Sequence, residues 1–351
     1  MTRSRHRKRR LTLPVEEWPD SDRCAWEDAL RPGSRLKPGG RASHLAEPSR
    51  DKLEMRYGGY LKFLECTGRL ETKAGASALV IPANVEAYIK ELTGRVCSVT
   101  VHTNICCVRR IAQLLAPAND FSWLAEIAKD LALVMMPRSK FDRLVSPERL
   151  VEAGLTLFVE GMEFPKNPLA DAKRMRNGLI IALLALCPVR LKNYVALEIG
   201  TTFISIHGRW WIDLPATVTK NKRADKRPVP KGLNRYIQFY VTHARPVLLE
   251  SGSMTNSLWI SSTTGGQFSR GGLAHLIYKT TLETVGVGVS PHLFRTAAAS
   301  RAASSGGSMP HLASALLNHT DPRTTEEHYN RASSITASKI YAEITRGFLG
   351  E

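Results

Sequence analysis

Acidic residues are the scarce charge in this 351-residue sequence: 32 Asp and Glu stand against 49 Lys and Arg, a formal net charge of +17. The deficit says nothing about fold, but it points to a polyanionic partner: nucleic acid, an acidic membrane surface or an acidic protein. Long apolar runs are also missing. The longest covers residues 179–189, too short to span a bilayer; binding to a membrane surface would explain the charge but not the residue pattern set out below, so no membrane partner is expected. The basic N-terminus (Arg3, Arg5, Arg7, Lys8, Arg9, Arg10) leads into a stretch with Pro14, Glu16 and Glu17, not into the apolar segment of a secretory signal. The six cysteines (positions 24, 66, 97, 106, 107 and 187) form no CxxC pair and no regular spacing. That argues against a disulfide framework or a zinc site and for reduced thiols in a cytoplasmic protein. No P-loop, HExxH, GxSxG or EF-hand pattern occurs. The chemistry expected here therefore needs neither ATP nor metal, and no cofactor is expected.

What is present is a globular composition, with 43% hydrophobic and 23% charged residues. At roughly 150 residues per domain the length suggests two folded units. Every part of the chain is basic, and residues 151–351 carry about half of the surplus. Residues 1–50 are rich in Arg, Pro, Gly and Ser and show little apolar periodicity, which predicts a basic, flexible arm. From residue 51 the spacing turns helical: Leu53, Tyr57, Tyr60, Leu61 and Leu64 mark a first helix, and 85–92, 99–115 and 121–135 three more, before Pro137 breaks the pattern. Residues 51–140 thus read as a compact helical domain. A second unit, 146–351, opens at Ser146 with Pro147 behind it, a good helix start. A long helix over 168–186 follows. Short strands are predicted at 196–199, 203–206, 210–214 and 216–219, with turns at Gly200 and at His207–Gly208. Helices are predicted again over 231–248, 268–284, 291–304, 309–317 and 323–330, with a last segment over 334–346. The fold class is mainly α with a small antiparallel sheet (α+β).

Four features of the second unit belong together. Arg190 follows the apolar helix in Cys187-Pro-Val-Arg190-Leu-Lys-Asn-Tyr. A predicted hairpin carries Lys220, Lys222, Arg223, Lys226 and Arg227 around a single acid, Asp225. His292 and Arg295 are spaced i, i+3 in Ser290-Pro-His-Leu-Phe-Arg-Thr, which places both on one helix face. His319 and Tyr329 occur in Leu316-Leu-Asn-His-Thr-Asp-Pro-Arg-Thr-Thr-Glu-Glu-His-Tyr. Taken singly, each has an ordinary reading: a surface Arg in a turn, a solvated hairpin tip, a capping His, a packed Tyr. Taken together, the order Arg, hairpin Lys, His-x-x-Arg, Leu-x-His and Tyr near the C-terminus closely resembles the tyrosine recombinase family, the phage-type integrases. The resemblance covers roughly residues 50–346, and its most specific stretch is 290–331.

The resemblance implies a helical core-binding, DNA-clamping domain at 51–140 and a catalytic domain at 146–351. It also implies a site-specific DNA recombinase or integrase of a mobile element. Such an enzyme cuts and rejoins strands through a 3′-phosphotyrosyl intermediate without metal or ATP. The residue types fit that chemistry. Forked guanidinium donors stabilise the charge on the non-bridging oxygens, a tyrosyl phosphodiester preserves the bond energy, and a Lys can protonate the departing 5′-oxygen. By resemblance, Arg190 and Arg295 clamp the scissile phosphate, Lys220 is the general acid with Lys222 as its alternate, and His292 is the acid/base histidine. His319 donates to a non-bridging oxygen and Tyr329 is the nucleophile. Lys222, Arg223, Lys226 and Arg227 are expected DNA contacts. The implied partners are double-stranded DNA and further copies of the chain, a dimer per site and a tetramer in synapsis, with 334–351 docking on a neighbouring protomer. The implied location is the bacterial nucleoid. The sequence departs from the family pattern at Asn318 (usually Gly), Asn193 (commonly acidic) and Thr296 (frequently His), and His319 and Tyr329 are ten positions apart where nine is usual. Two other readings use the same residues: type IB topoisomerase-like relaxation of DNA, and a DNA-binding protein that keeps the recombinase fold without its activity.

Overall fold

The computed structural model describes residues 10–137, 139, 141–164, 167–219, 221–249, 255–305 and 315–317. The chain divides into two compact units, Met1–Arg138 and Ser139–Glu351.

The first unit is helical: α1 (Asp20–Leu30), α2 (Glu47–Cys66), α3 (Ala76–Leu79), α4 (Pro82–Thr93), α5 (Ser98–Leu115) and α6 (Ser122–Leu133). Its core joins Leu53, Tyr57, Tyr60, Leu61 and Leu64 of α2 to Val101, Ile105, Val108 and Ile111 of α5, the i, i+3, i+4 pattern that the sequence displays. The expected flexible arm is corrected here. Leu13, Trp18, Trp26, Ala29, Ala42 and Leu45 all belong to this core. Apolar residues are sparse in that segment, but two are tryptophans, and each indole buries more surface than any aliphatic side chain. Trp18 sits edge-on to Tyr57 at 5.1 Å, and Trp26 Nε1 donates to Glu54 at 2.8 Å. The segment lies so close to α2 that a Cβ on Gly58 would come within 2.1 Å of the Leu13 carbonyl oxygen.

The second unit begins with α7 (Pro147–Glu163) and α8 (Pro168–Leu186). The expected start at Ser146 holds: its hydroxyl accepts from Arg149 N at 3.3 Å, and Asn167 caps α8 in the same way through Ala170 N at 2.7 Å. Residues 179–185 of α8 are all buried, so the apolar run of the sequence is a helix surrounded by core on every side. α9 (Leu191–Val195) follows, then a three-stranded antiparallel sheet of β1 (Phe203–Ile206), β2 (Arg209–Leu214) and β3 (Asp225–Pro228), in that order. β1 pairs with β2 from Phe203↔Ile212 to Ile206↔Arg209, and β2 with β3 from Trp211↔Pro228 to Leu214↔Asp225.

Two predicted strands are not strands. Residues 196–199 make only isolated bridges, Glu198 to Ser257 and Ile199 to Phe203. Residues 216–219 form a turn, because the Thr219 hydroxyl bonds back to local carbonyls instead of leaving the backbone to pair. The third strand is the charged edge segment β3, which apolar alternation does not reveal. The chain continues through α10 (Asn234–Phe239), a π-helical stretch (Tyr240–Ala244) and α11 (Arg245–Leu248). Pro246, which has no backbone N–H to donate, is separated from the irregular stretch by Arg245 alone. α12 (Arg270–Val285) is capped by Ser269 and ends at Gly286 with φ 78°, and α13 (Pro291–Ser305) is the last long helix described. Of the predicted C-terminal helices, a short turn at 315–317 is described and the rest lie outside the described residues. No helix among the described residues is long and apolar enough to cross a membrane.

Candidate active site

Arg190 is set by the way α8 ends. Cys187 N still bonds to Leu183 O, Pro188 then stops the helix, and Val189 N turns back to Cys187 O at 2.7 Å. Burial pushes the Cys187 thiol up to about 12, so it behaves as a small core side chain rather than a nucleophile. Arg190 becomes the N-cap of α9, and its carbonyl accepts from Asn193 N and Tyr194 N, both at 2.9 Å. Tyr194 fastens α9 to α8 by donating its hydroxyl to Ile180 O at 2.9 Å inside the core. The Arg190 side chain is half-buried, and no hydrogen bond or ion pair to another described residue holds its guanidinium.

Arg295 reaches the same place from α13. Leu293, Phe294, Ala297, Ala298 and Ala299 bury one side of this helix, and Arg295 is drawn in with them to 7% exposure. A buried guanidinium requires acceptors. Arg295 Nη1 donates to Pro188 O, two residues before Arg190, and Nη2 donates to Leu317 O at 2.8 Å. Arg190 and Arg295, more than 100 residues apart in sequence, are thus joined through Pro188. His292 lies one turn earlier on α13 and is exposed.

The hairpin of β2 and β3 supplies the remaining described cations. Lys226 pairs with Asp213 across the sheet at 3.0 Å and lies 5.9 Å from the Trp211 ring centroid, with Arg209 on the same ring at 5.6 Å. In the turn, Lys222 takes a left-handed φ of 53°, and Lys222 and Arg223 are exposed. Arg227 differs from the expected DNA contact. Its guanidinium meets the Asp225 carboxylate at 2.6 Å, with both side chains under 15% exposed, and its Nη1 donates to Leu316 O at 3.3 Å. Arg227 is therefore committed inside the protein, whereas Lys222 and Arg223 face outward. Lys220, His319 and Tyr329 lie outside the described residues.

Sequence reasoning missed Thr219, Asp225 and the carbonyls of Pro188, Leu316 and Leu317. The one available signal was Asp225-x-Arg227, two opposite charges spaced to share one face of a strand.

With that geometry in view, a family match gives the class. The model of the phage integrase family matches residues 160–334, the stretch that contains α8, α9, the sheet, α12 and α13. The chain belongs to this family, that of the tyrosine recombinases. No curated protein matches the sequence. Among solved structures, the XerH site-specific recombinase bound to its difH substrate, in a pre-cleavage complex, is similar in fold. It has a TM-score of 0.53 and 14% identity, over 91% of this chain and 97% of that one. XerA recombinase also matches, with a TM-score of 0.41 and 15% identity over 86% and 94%. The expected fold class, helical with one small antiparallel sheet, holds.

Proposed function

We propose that the protein is a site-specific DNA recombinase that breaks and rejoins strands through a tyrosyl–DNA intermediate. The observation that carries the reading is that Arg295 donates to the Pro188 carbonyl, two residues before Arg190 in the chain. A half-buried arginine and a buried one, on segments that this bond ties together in a basic protein, suit a phosphodiester whose charge rises as it is attacked. The DNA-bound state of the XerH structure supports the same substrate.

In this reaction the Tyr329 oxygen attacks the scissile phosphorus. The bond from phosphorus to the 5′-oxygen breaks as the new bond to the tyrosine forms, leaving a 3′-phosphotyrosyl ester and a free 5′-hydroxyl. Lys220 supplies the proton to the departing 5′-oxygen, and His292 accepts the tyrosine proton. Arg190, Arg295 and His319 hold the non-bridging oxygens. Rejoining is the reverse, with the 5′-hydroxyl of another strand as nucleophile. Every role is filled by a side chain of this protein, so neither ATP nor a metal enters the scheme. Lys222 and Arg223 lie against the DNA backbone, a dimer occupies each site, two dimers form the tetramer that exchanges strands, and residues 334–351 dock on a neighbouring protomer.

The test is trapping of the covalent species. Incubated with a nicked duplex carrying its recombination site, the wild-type chain is expected to give a protein-linked DNA band that proteinase removes, and Tyr329→Phe to give none. A band that persists in Tyr329→Phe rejects the nucleophile. Binding without any band from the wild type rejects the enzyme reading in favour of a DNA-binding protein.

A further inference from the structure

β3 carries a polar contact that the reaction above does not use. Asp225 and Arg227 alternate with Lys226, so the two share one face of the strand. The Asp225 carboxylate receives Arg227 Nε at 2.8 Å and Nη2 at 2.6 Å, and Nη1 goes to Leu316 O at 3.3 Å. The next carbonyl along, Leu317 O, belongs to Arg295. Two guanidiniums, one from the hairpin and one from α13, thus grip consecutive carbonyls at the end of the 315–317 turn, where backbone acceptors lack helical donors. In sequence, that turn lies two residues before His319, the hairpin loop holds Lys220, and Pro188, the other carbonyl held by Arg295, lies two residues before Arg190. The loop is itself braced. Thr219 is 6% exposed, and its hydroxyl lies 3.1 Å from Ala216 O and 2.7 Å from Arg223 O.

We propose that Arg227, held by Asp225, is a positioning residue that locks the hairpin bearing Lys220 to the turn preceding His319. The inference rests on the reading of Lys220 as the general acid. Asp225 neutralises Arg227, so this residue adds no net charge toward a phosphate; what it adds is a fixed distance. Only a forked guanidinium can hold a carboxylate with two N–H groups and keep a third for a carbonyl. Arg227→Lys therefore preserves the charge and breaks the link. The effect falls on protonation of the leaving group, because the hairpin is the element set adrift.

The experiment uses the full chain and a nicked duplex bearing the sequence that the wild-type chain enriches from a random duplex library. The duplex is made in two forms, with oxygen or with sulfur as the 5′-bridging atom at the phosphate where the wild type becomes attached. A thiolate is a good leaving group without a proton, so loss of the general acid is rescued by sulfur. On the oxygen duplex, Arg227→Lys and Arg227→Ala are expected to form adduct about 100-fold more slowly than wild type, the scale of one general acid. On the sulfur duplex both are expected to approach the wild-type rate, as is Lys220→Ala, with duplex affinity kept in all three.

Adduct formation at the wild-type rate on the oxygen duplex overturns the proposal. Equal slowing on both duplexes overturns it too, because a merely structural brace would slow both. If Arg227→Ala fails to fold by circular dichroism, Arg227→Lys and Thr219→Val decide by the same comparison. No adduct from the wild type on either duplex refutes the enzyme reading itself, and this inference falls with it.

Discussion

Asp22 in the helical unit and Asp225 in the sheet unit are both carboxylates withdrawn from water, and both tie together segments distant in sequence. They are satisfied in opposite ways. Asp22, 2% exposed, receives only neutral donors among the described residues: the Tyr57 hydroxyl at 2.6 Å and Ala76 N at 2.7 Å. Burial therefore holds its carboxyl above the ordinary 3.8 despite those bonds, and drives the Tyr57 hydroxyl well above 10. Asp225 faces a guanidinium, and that guanidinium in turn faces a carbonyl. The first arrangement closes a core and leaves nothing for a ligand. The second belongs to a chain of cations and carbonyls that runs to Arg295 and Pro188, beside the half-buried Arg190. In the sheet unit the internal tie is made with an arginine that reaches on to a second segment; in the helical unit a tyrosine and an amide suffice.

The comparison can be broken at four points, in falling order of effect. Arg295→Met removes a guanidinium from the site and strands the carbonyls of Pro188 and Leu317. Covalent adduct formation on the nicked duplex is expected to drop by about 10²–10³-fold, the scale of losing one preorganised donor, while DNA affinity, carried by the many other cations, stays near wild type. An undiminished adduct rate would detach Arg295 from the chemistry. Asp225→Asn leaves the Arg227 charge poorly compensated, and chemical denaturation is expected to report about 1–3 kcal/mol of lost stability in the sheet unit. A change of a few tenths would show that the pair is as weak as a surface bridge. Tyr57→Phe deletes one donor to Asp22 and is expected to cost about 1–2 kcal/mol in the helical unit, with no effect on strand cleavage by bound enzyme; a selective cleavage defect would contradict the division drawn here.

Asp22→Asn gives the smallest effect and is read by its pH dependence. The folded carboxyl binds its proton more tightly than the unfolded one, so the stability it contributes is fully present below 3.8 and is lost as pH rises through the raised folded value. Asn keeps an acceptor for Ala76 N and carries no charge. Its stability relative to wild type is expected to improve between pH 3 and pH 7 in urea titrations, and a relative decline over that range would reverse the assignment.

The sequence made the helices legible where apolar spacing was regular, as in α2 and α5, and made α8 legible as a fully buried run. It made the arginines and the hairpin legible through order and residue type. Other features were hidden for physical reasons. The Leu13 to Leu45 part of the first core consists of a few large side chains at irregular spacing, which periodicity cannot detect. β3 is an edge strand of charged residues, so no alternation of apolar and polar residues announces it. Arg227 counted as one more hairpin cation because only the fold reveals that Asp225 and Leu316 occupy its donors. The carbonyls of Pro188, Leu316 and Leu317 have no signature at all, since every residue has one and only its place in space makes it an acceptor.

The burial of Trp18 and Trp26 also has a consequence for synthesis. The ribosome delivers these indoles before α2, yet Trp18 packs on Tyr57 and Trp26 bonds to Glu54, both in α2. At about 5–20 residues per second, the emerging chain carries two uncovered aromatic rings for seconds before their cover arrives. The segment is thus made before α2 and sheltered late. An N-terminal truncation that removes it would spare the nascent chain that exposure, but it would leave α2 and its tyrosines permanently without a lid.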